Sequence, residues 1–415
     1  LATGLAGGAA AEGIRRLSQG ERPGAANLLL TPANAARLTD RLSRMRGAAM
    51  KLGQLLSMEA GDVLAPEVTA TLSRLRDDAH AMPGAQLARV LRRAWGEGWE
   101  GRFARFSFAP VAAASIGQVH GARARDGRDL AVKVQYPGVR QSIDSDVDNV
   151  ATLLRLLRLL PEELDLQPLL EEAKAQLHAE ADYRLEADYL ERYGALLGDD
   201  PDFQVPSVDP ELSTSEVLVM SFVPGEPLAA LEGAAPQLRN RTATRLLALL
   251  LRELFEFGLV QTDPNLANYR HEPATGRIGL LDFGATRAYP SGRIEAFRQL
   301  LSAGTGGDRA SVIEAAQGIG YLRPEDPAPQ QAALADMVLV GCEPLRHTGP
   351  YDFAGSQLIA RLRELGLALT FEHGYWRAPP PDTAFLHRKL GGLLLLCARL
   401  GARVDLRRLI GPYLD

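Results

Sequence analysis

Apolar and polar positions alternate along this chain with two different periods. From Pro32 the spacing is helical: Leu38, Leu42 and Met45 share a face, and Met50, Leu52, Leu55, Leu56 and Met58 continue the apolar content. Pro66 marks a new helix start, Pro83-Gly84 breaks the next helix, and Gln86–Trp95 is again amphipathic. The period then shortens. Phe106-Ser107-Phe108 and Leu130-Ala131-Val132-Lys133-Val134 read as strands, with a hairpin turn at Asp126-Gly127. In the second strand Leu130, Val132 and Val134 point one way, and Ala131 and Lys133 the other. Helical spacing returns over about Ser142–Leu160 and Leu166–Tyr193, separated around Pro161. Val205, Val208 and Val217–Met220 carry strand signals, and Asn240–Phe257 is a strongly apolar helix. Beyond Tyr289 the chain is helical over Ser291–Ala303, Asp308–Gln317, Gln330–Leu345, Asp352–Leu365 and Leu386–Leu400. Pro324–Pro329 is a linker there, and Pro379-Pro380-Pro381 an interruption.

Composition narrows the class. The 415 residues suffice for two or three domains and a sizeable core. The net charge of −5 argues against a nucleic-acid binder. Cys342 and Cys397 lie far apart, so they form no metal or redox motif, and a reducing compartment fits. The longest apolar runs, Leu246–Leu251 and Leu390–Ala398, are too short to span a bilayer. Leu1–Ala11 is small and apolar apart from Thr3, with Gly4 and Gly8 at helix-packing spacing. It reads either as the tail of a membrane-associated helix or as a frayed Ala/Gly-rich end.

The candidate chemistry lies in two acidic loops. Gln261-Thr262-Asp263-Pro264-Asn265-Leu266-Ala267-Asn268 offers an Asp and, five residues on, an Asn; Leu280-Leu281-Asp282-Phe283-Gly284 offers a second Asp after an apolar strand. A kinase-like site needs one Asp at the nucleophile, an Asn on a magnesium ion and a second Asp bridging metal to phosphate. Upstream, Lys133 beside the small Ala131 suits a nucleotide floor, where Ala makes room for adenine and Lys reaches a phosphate. The turn Ala112–Gly117, with Ala113, Ala114 and Ser115, stands where a kinase has its glycine-rich loop. Alanine restricts φ there and disfavours ordinary phosphate cradling. Glu180 and Glu186, nearly two turns apart on one predicted helix, compete for pairing with Lys133. Ser221-Phe222-Val223-Pro224-Gly225 reads as a hinge whose backbone would bond adenine at Ser221 and Val223. By itself Lys51 reads as a solvated surface lysine. Arg377, His387, Arg388 and Lys389 read as a solvated basic face, with acidic lipid or a partner as the alternative.

These stretches resemble the UbiB family of atypical kinases, which includes the mitochondrial coenzyme Q ATPases. The resemblance runs from about Pro32 to Leu400. It is carried by Lys51-Leu52-Gly53-Gln54, Ala112–Val119, Glu180-Ala181-Asp182-Tyr183-Arg184-Leu185-Glu186, the two acidic loops and Leu386-His387-Arg388-Lys389-Leu390-Gly391-Gly392. It implies an α+β, bilobal protein-kinase-like fold. Residues 1–31 would be a tail, 32–104 a helical extension over the active site, 105–223 an N-lobe with inserted helices and 224–415 a helical C-lobe. ATP or ADP with Mg²⁺ would bind between the lobes. Lys133 would contact phosphates and pair with Glu186, Asp263 would be the catalytic acid, and Asn268 and Asp282 would hold magnesium. Lys51 and Gln54 would be inserted where a protein substrate normally docks, with Glu180 as partner of Lys51, reversing the isolated reading of that lysine.

The implied function is a slow ATPase supporting ubiquinone biosynthesis at a membrane, with phosphoryl transfer to water. Expected partners are an acidic phospholipid surface and ubiquinone-pathway enzymes or lipid intermediates. The expected place is cytoplasmic and peripheral on the inner face of a bacterial cell membrane. Two other readings remain open in the sequence: a nucleotide-sensing scaffold without turnover, and a true protein or small-molecule kinase.

Overall fold

A computed structural model describes residues 47–48, 82–114, 116–156, 167–377 and 379–414. Lys51, Gln54, Ser115 and most of the predicted extension lie outside the described residues. The chain divides into two compact units. The first holds the residues up to Arg184 together with Asp209–Met220; the second holds Leu185–Val208 and Ser221–Asp415.

In the first unit, helix α1 (Gly84–Trp95) starts behind Pro83 and buries Leu87, Val90, Leu91 and Trp95, the spacing of one helical face. A short turn of 3₁₀ helix leads into β1 (Phe103–Ala113), β2 (Gly117–Ala124) and β3 (Asp129–Gln135). With β5 (Val217–Ser221) they form a sheet ordered β1-β2-β3-β5. The β2–β3 turn is the expected Asp126-Gly127: Gly127 sits at φ +92° and the Arg128 amide donates to Asp126 Oδ1 at 3.0 Å. Leu130, Val132 and Val134 meet Val217, Val219, Trp95, Trp99 and Phe103 in the core, as strand alternation requires.

Two inserted helices follow, α2 (Val139–Leu156) and α3 (Gln167–Glu180). They are tied by Lys174–Asp148 at 2.7 Å and His178–Asp144 at 3.0 Å. The single helix expected through Tyr193 is two helices. The chain breaks at Ala181-Asp182, and α4 (Tyr183–Leu197) begins anew. Asp182 caps it, its Oδ1 accepting from the Arg184 amide at 3.2 Å. Glu180 therefore ends α3, half-buried, whereas Glu186 lies fully buried in the first turn of α4. The two lie on different helices, so their six-residue spacing carries no pairing argument.

In the second unit, a sheet is ordered β4-β9-β8-β6, from β4 (Phe203–Gln204), β6 (Glu226–Pro227), β8 (Tyr269–His271) and β9 (Ile278–Leu280). Helix α5 (Pro236–Arg252) has proline in its first turn, where the missing N–H costs nothing. It buries Leu246, Leu247, Leu249 and Leu250. It runs into a single π-helical turn, Glu253–Phe257, ended by Gly258 in the left-handed region. Next come β7 (Leu259–Gln261) and its antiparallel partner β10 (Thr286–Ala288).

The remainder is helical: α6 (Ser291–Gly306), α7 (Arg309–Ile319), α8 (Ala328–Gly341), α9 (Glu343–Arg346), α10 (Leu358–Phe371), α11 (Pro381–Arg399) and α12 (Leu406–Leu414). β11 (Tyr351–Asp352) pairs with β12 (Arg403–Val404), so the helix expected from Asp352 starts only at Leu358. Pro379 and Pro380 lie between α10 and α11, the interruption expected there, and Pro381 opens α11 at a position proline favours. Among the described residues no helix is long and apolar enough to cross a membrane.

Candidate active site

β7 and β10 clamp the roots of both acidic loops. Thr262 makes the tie twice, its amide and its hydroxyl both donating to the Ala285 carbonyl, at 3.1 and 2.6 Å. Between them the Asp263–Asn268 loop folds on itself. The Asn268 amide donates to the Asn265 carbonyl at 3.0 Å, and the Ala267 amide to Asn265 Oδ1 at 3.1 Å. This curl returns Asn268 to Asp263: its Nδ2 donates to Asp263 Oδ2 at 3.0 Å. The Leu281 amide donates to the Asn268 carbonyl at 2.9 Å, which draws the second acidic loop alongside the first. Asp282 Oδ1 accepts from the Gly284 amide at 3.0 Å. Phe283 is fully buried, its ring centroid 4.5 Å from that of Tyr193.

Asn268, Asp282 and Phe283 line one small cavity of about 10 Å³, room for about one water molecule. Glu253, Gln261, Tyr269 and Lys389 complete its polar lining. Lys389 is buried. It donates to Gln261 Oε1 at 2.8 Å and to the Tyr269 hydroxyl at 2.6 Å. Burial pulls its pKa down, and Tyr269, Glu253 and Asp263 more than reverse this, leaving the ammonium above its ordinary value. Glu253 goes up as well, because burial outweighs the attraction of Lys389 and the Tyr193 hydroxyl, which donates to it at 3.1 Å.

Other sequence-predicted residues belong to the first unit. Lys133 is buried on β3, its ammonium 5.3 Å from the centre of the Tyr183 ring. Ala113 ends β1, exposed, and the Ala114 amide donates to the Gly117 carbonyl at 2.9 Å, closing the Ala-rich turn. A Cβ on Gly117 would overlap the Val134 carbonyl oxygen, so glycine is required at this crossing. In the second unit, Val223 is buried against Gly279, and Ser221 exchanges bonds with Ser207: N to O at 2.8 Å, and Ser207 N to Ser221 Oγ at 2.9 Å.

The basic tail departs from the solvated face expected of it. Arg388 Nη2 donates to Asp263 Oδ1 at 2.6 Å, and Lys389 lies beneath the same loop. Arg377 is held by Asp326 through two bonds of 2.8 and 2.7 Å. Only His387 of the four is exposed. The sequence does hold a signal for this: Gly391-Gly392 inside an apolar helix costs stability unless another backbone approaches. It does approach, since a Cβ on Gly392 would overlap the Pro264 ring.

Magnesium accepts one or two protein oxygens together with phosphate oxygens, so the oxygen donors of Asp282 and Asn268 suit it without a third acidic group. Among the described residues there is no cluster of three or more His, Cys, Asp or Glu placed to hold a metal by itself.

Residues 74–316 match the model of the ABC1 atypical kinase-like domain. Over 413 residues the chain is 39% identical to the atypical kinase COQ8, mitochondrial, of Saccharomyces cerevisiae, covering 99% of this chain and 82% of that protein. It is 39% identical over 412 residues to COQ8B, mitochondrial, of Rattus norvegicus, covering 99% and 78%. A similar solved structure is Rv3197 of Mycobacterium tuberculosis, in complex with erythromycin. It matches with a TM-score of 0.66 and 26% identity, over 91% of this chain and 94% of that one. The kinase-like arrangement of strands and helices and these relatives agree, and the chain belongs to the ABC1 (UbiB) family of atypical kinase-like proteins.

Proposed function

We propose that this protein is a magnesium-dependent, kinase-like ATPase that binds ATP or ADP and supports ubiquinone biosynthesis at an acidic membrane surface. The observation that carries it is the loop geometry: Asn268 bonded to Asp263, with Asp282 on the adjoining loop. Asp263 orients the attacking water, and Lys133, set by Glu186 in this reading, steadies the phosphates. Asn268 and Asp282 would hold the metal, which supplies neutralising charge on the phosphoryl oxygens when bound. Water as acceptor is supported by the closed, alanine-bearing β1–β2 turn, which is stiffer than a glycine loop. In the same reading Lys51 and Gln54 cover the acceptor side, with Glu180 as the partner of Lys51. The similarity to COQ8 proteins supports the link to the coenzyme Q pathway.

The test is magnesium-dependent phosphate release from ATP, with and without acidic-phospholipid liposomes, by the native protein and Asp282→Asn. Release that rises with liposomes and falls about 100-fold in the variant is expected. Tight nucleotide binding without release would favour a sensing scaffold. Transfer to a protein or small-molecule hydroxyl in place of water would favour a kinase.

A further inference from the structure

We propose that Arg388 is a positioning residue for Asp263, so that helix α11, and not the loop itself, supplies the cation that sets the acid of the site. The segment Asp263–Asn268 contains no Lys or Arg. The positive charge comes from 125 residues downstream, where Arg388 Nη2 meets Asp263 Oδ1 at 2.6 Å. Asn268 Nδ2 takes the other oxygen at 3.0 Å. With a donor on each oxygen, the carboxylate is fixed in both position and the orientation of its plane, as one bond alone would not fix it.

The pair is shielded: side-chain exposure is 10% for Arg388 and 22% for Asp263. Salt therefore screens it less than a surface pair. The helix is itself anchored to the loop at three further points. Gly392 abuts Pro264, and Lys389 holds Gln261, two residues before Asp263, and Tyr269, one after Asn268. Arg388 thus projects from a support that grips the loop at both ends. A reacting group displaced by about 1 Å loses on the order of 100-fold in rate, so a brace of this kind bears on turnover.

The turnover arm of the test rests on the ATPase reading; a second arm does not. In the first, ATP hydrolysis is measured for the native protein, Arg388→Gln, Arg388→Lys, Asp263→Asn and the Arg388→Gln/Asp263→Asn double variant. Arg399→Gln, which removes a surface pair with Glu232 on the same helix, is the control. Arg388→Gln is expected to lower kcat about 10- to 100-fold with KM for Mg-ATP within about threefold. Arg388→Lys recovers part of the loss. On the Asp263→Asn background Arg388→Gln should add no more than about twofold, because it acts through the acid it positions. Full additivity, or no loss in the single variant, would overturn the proposal.

The second arm is hydrogen exchange at the amides of Thr262, Ala267, Asn268 and Leu281, all bonded in or to this loop. Arg388→Gln should speed their exchange about tenfold while the amides of α6 and α7 stay unchanged, and Arg399→Gln should do nothing. Unchanged loop exchange in Arg388→Gln refutes the brace whether or not ATP is hydrolysed. Faster loop exchange in Arg388→Gln, together with a native protein that hydrolyses no ATP, leaves the brace standing and sinks the ATPase reading alone.

Discussion

At the residue scale, two tail cations show how one side chain's surroundings change its meaning. Lys389 is a buried ammonium held by Gln261 and Tyr269 close to the carboxyl of Glu253. Replacing it with Met leaves Glu253 buried without that compensation, and is expected to destabilise the second unit by about 3 kcal/mol. Chemical denaturation of Lys389→Met and of Lys389→Met/Glu253→Gln checks this, the double variant recovering part of the loss. Arg377 holds the carboxyl of Asp326 well below its ordinary value, at about 2. A depressed folded pKa means that the stabilisation is complete above the unfolded value of about 3.8 and is lost as pH falls through about 2. Arg377→Gln should cost about 2 kcal/mol at neutral pH. It should also flatten the loss of stability between about pH 4 and 2, read from denaturation curves across that window.

At the scale of elements, two contacts decide whether a loop or helix can sit where it does. α11 approaches the acidic loop closely enough that Gly392 leaves no room for a methyl group over Pro264. Gly392→Ala should cost about 1–3 kcal/mol through overpacking and lower ATP turnover with it, although alanine is the better helix former. Thermal melts alongside phosphate release separate this from a propensity effect, which would stabilise. The second contact is the break at Ala181-Asp182. Helical periodicity continues across it in the sequence, so Glu180 and Glu186 read as parts of one helix. The cap at Asp182 is legible only as an Asp, a residue common on exposed helix surfaces as well.

At the scale of the whole molecule, a protein that binds nucleotide only when folded is stabilised by it. Mg-ADP at 100 times its dissociation constant should add about 2.7 kcal/mol, raising the melting temperature of the native protein. Asp282→Asn should lose most of the rise that depends on magnesium. An equal rise in both proteins would remove Asp282 from the metal site. Much of the architecture was readable before any coordinates. The helix-to-strand change of period, the Asp126-Gly127 turn and the inward face of Leu130, Val132 and Val134 all appear as expected. So do the two acidic loops, as adjoining segments.

What the sequence determined by itself is local: periodicity, turn chemistry and the order of the motifs, because backbone geometry repeats over a few residues and leaves its imprint there. Family membership is equally a property of the string. Tertiary structure alone decided the rest. That Arg388 meets Asp263, that Lys389 is buried beneath the loop and that Gly392 must be glycine depend on segments about 125 residues apart folding together. A helical pattern shows that a face exists, but not what packs on it. Pairing and burial are energies between segments, and no window of neighbouring residues contains them.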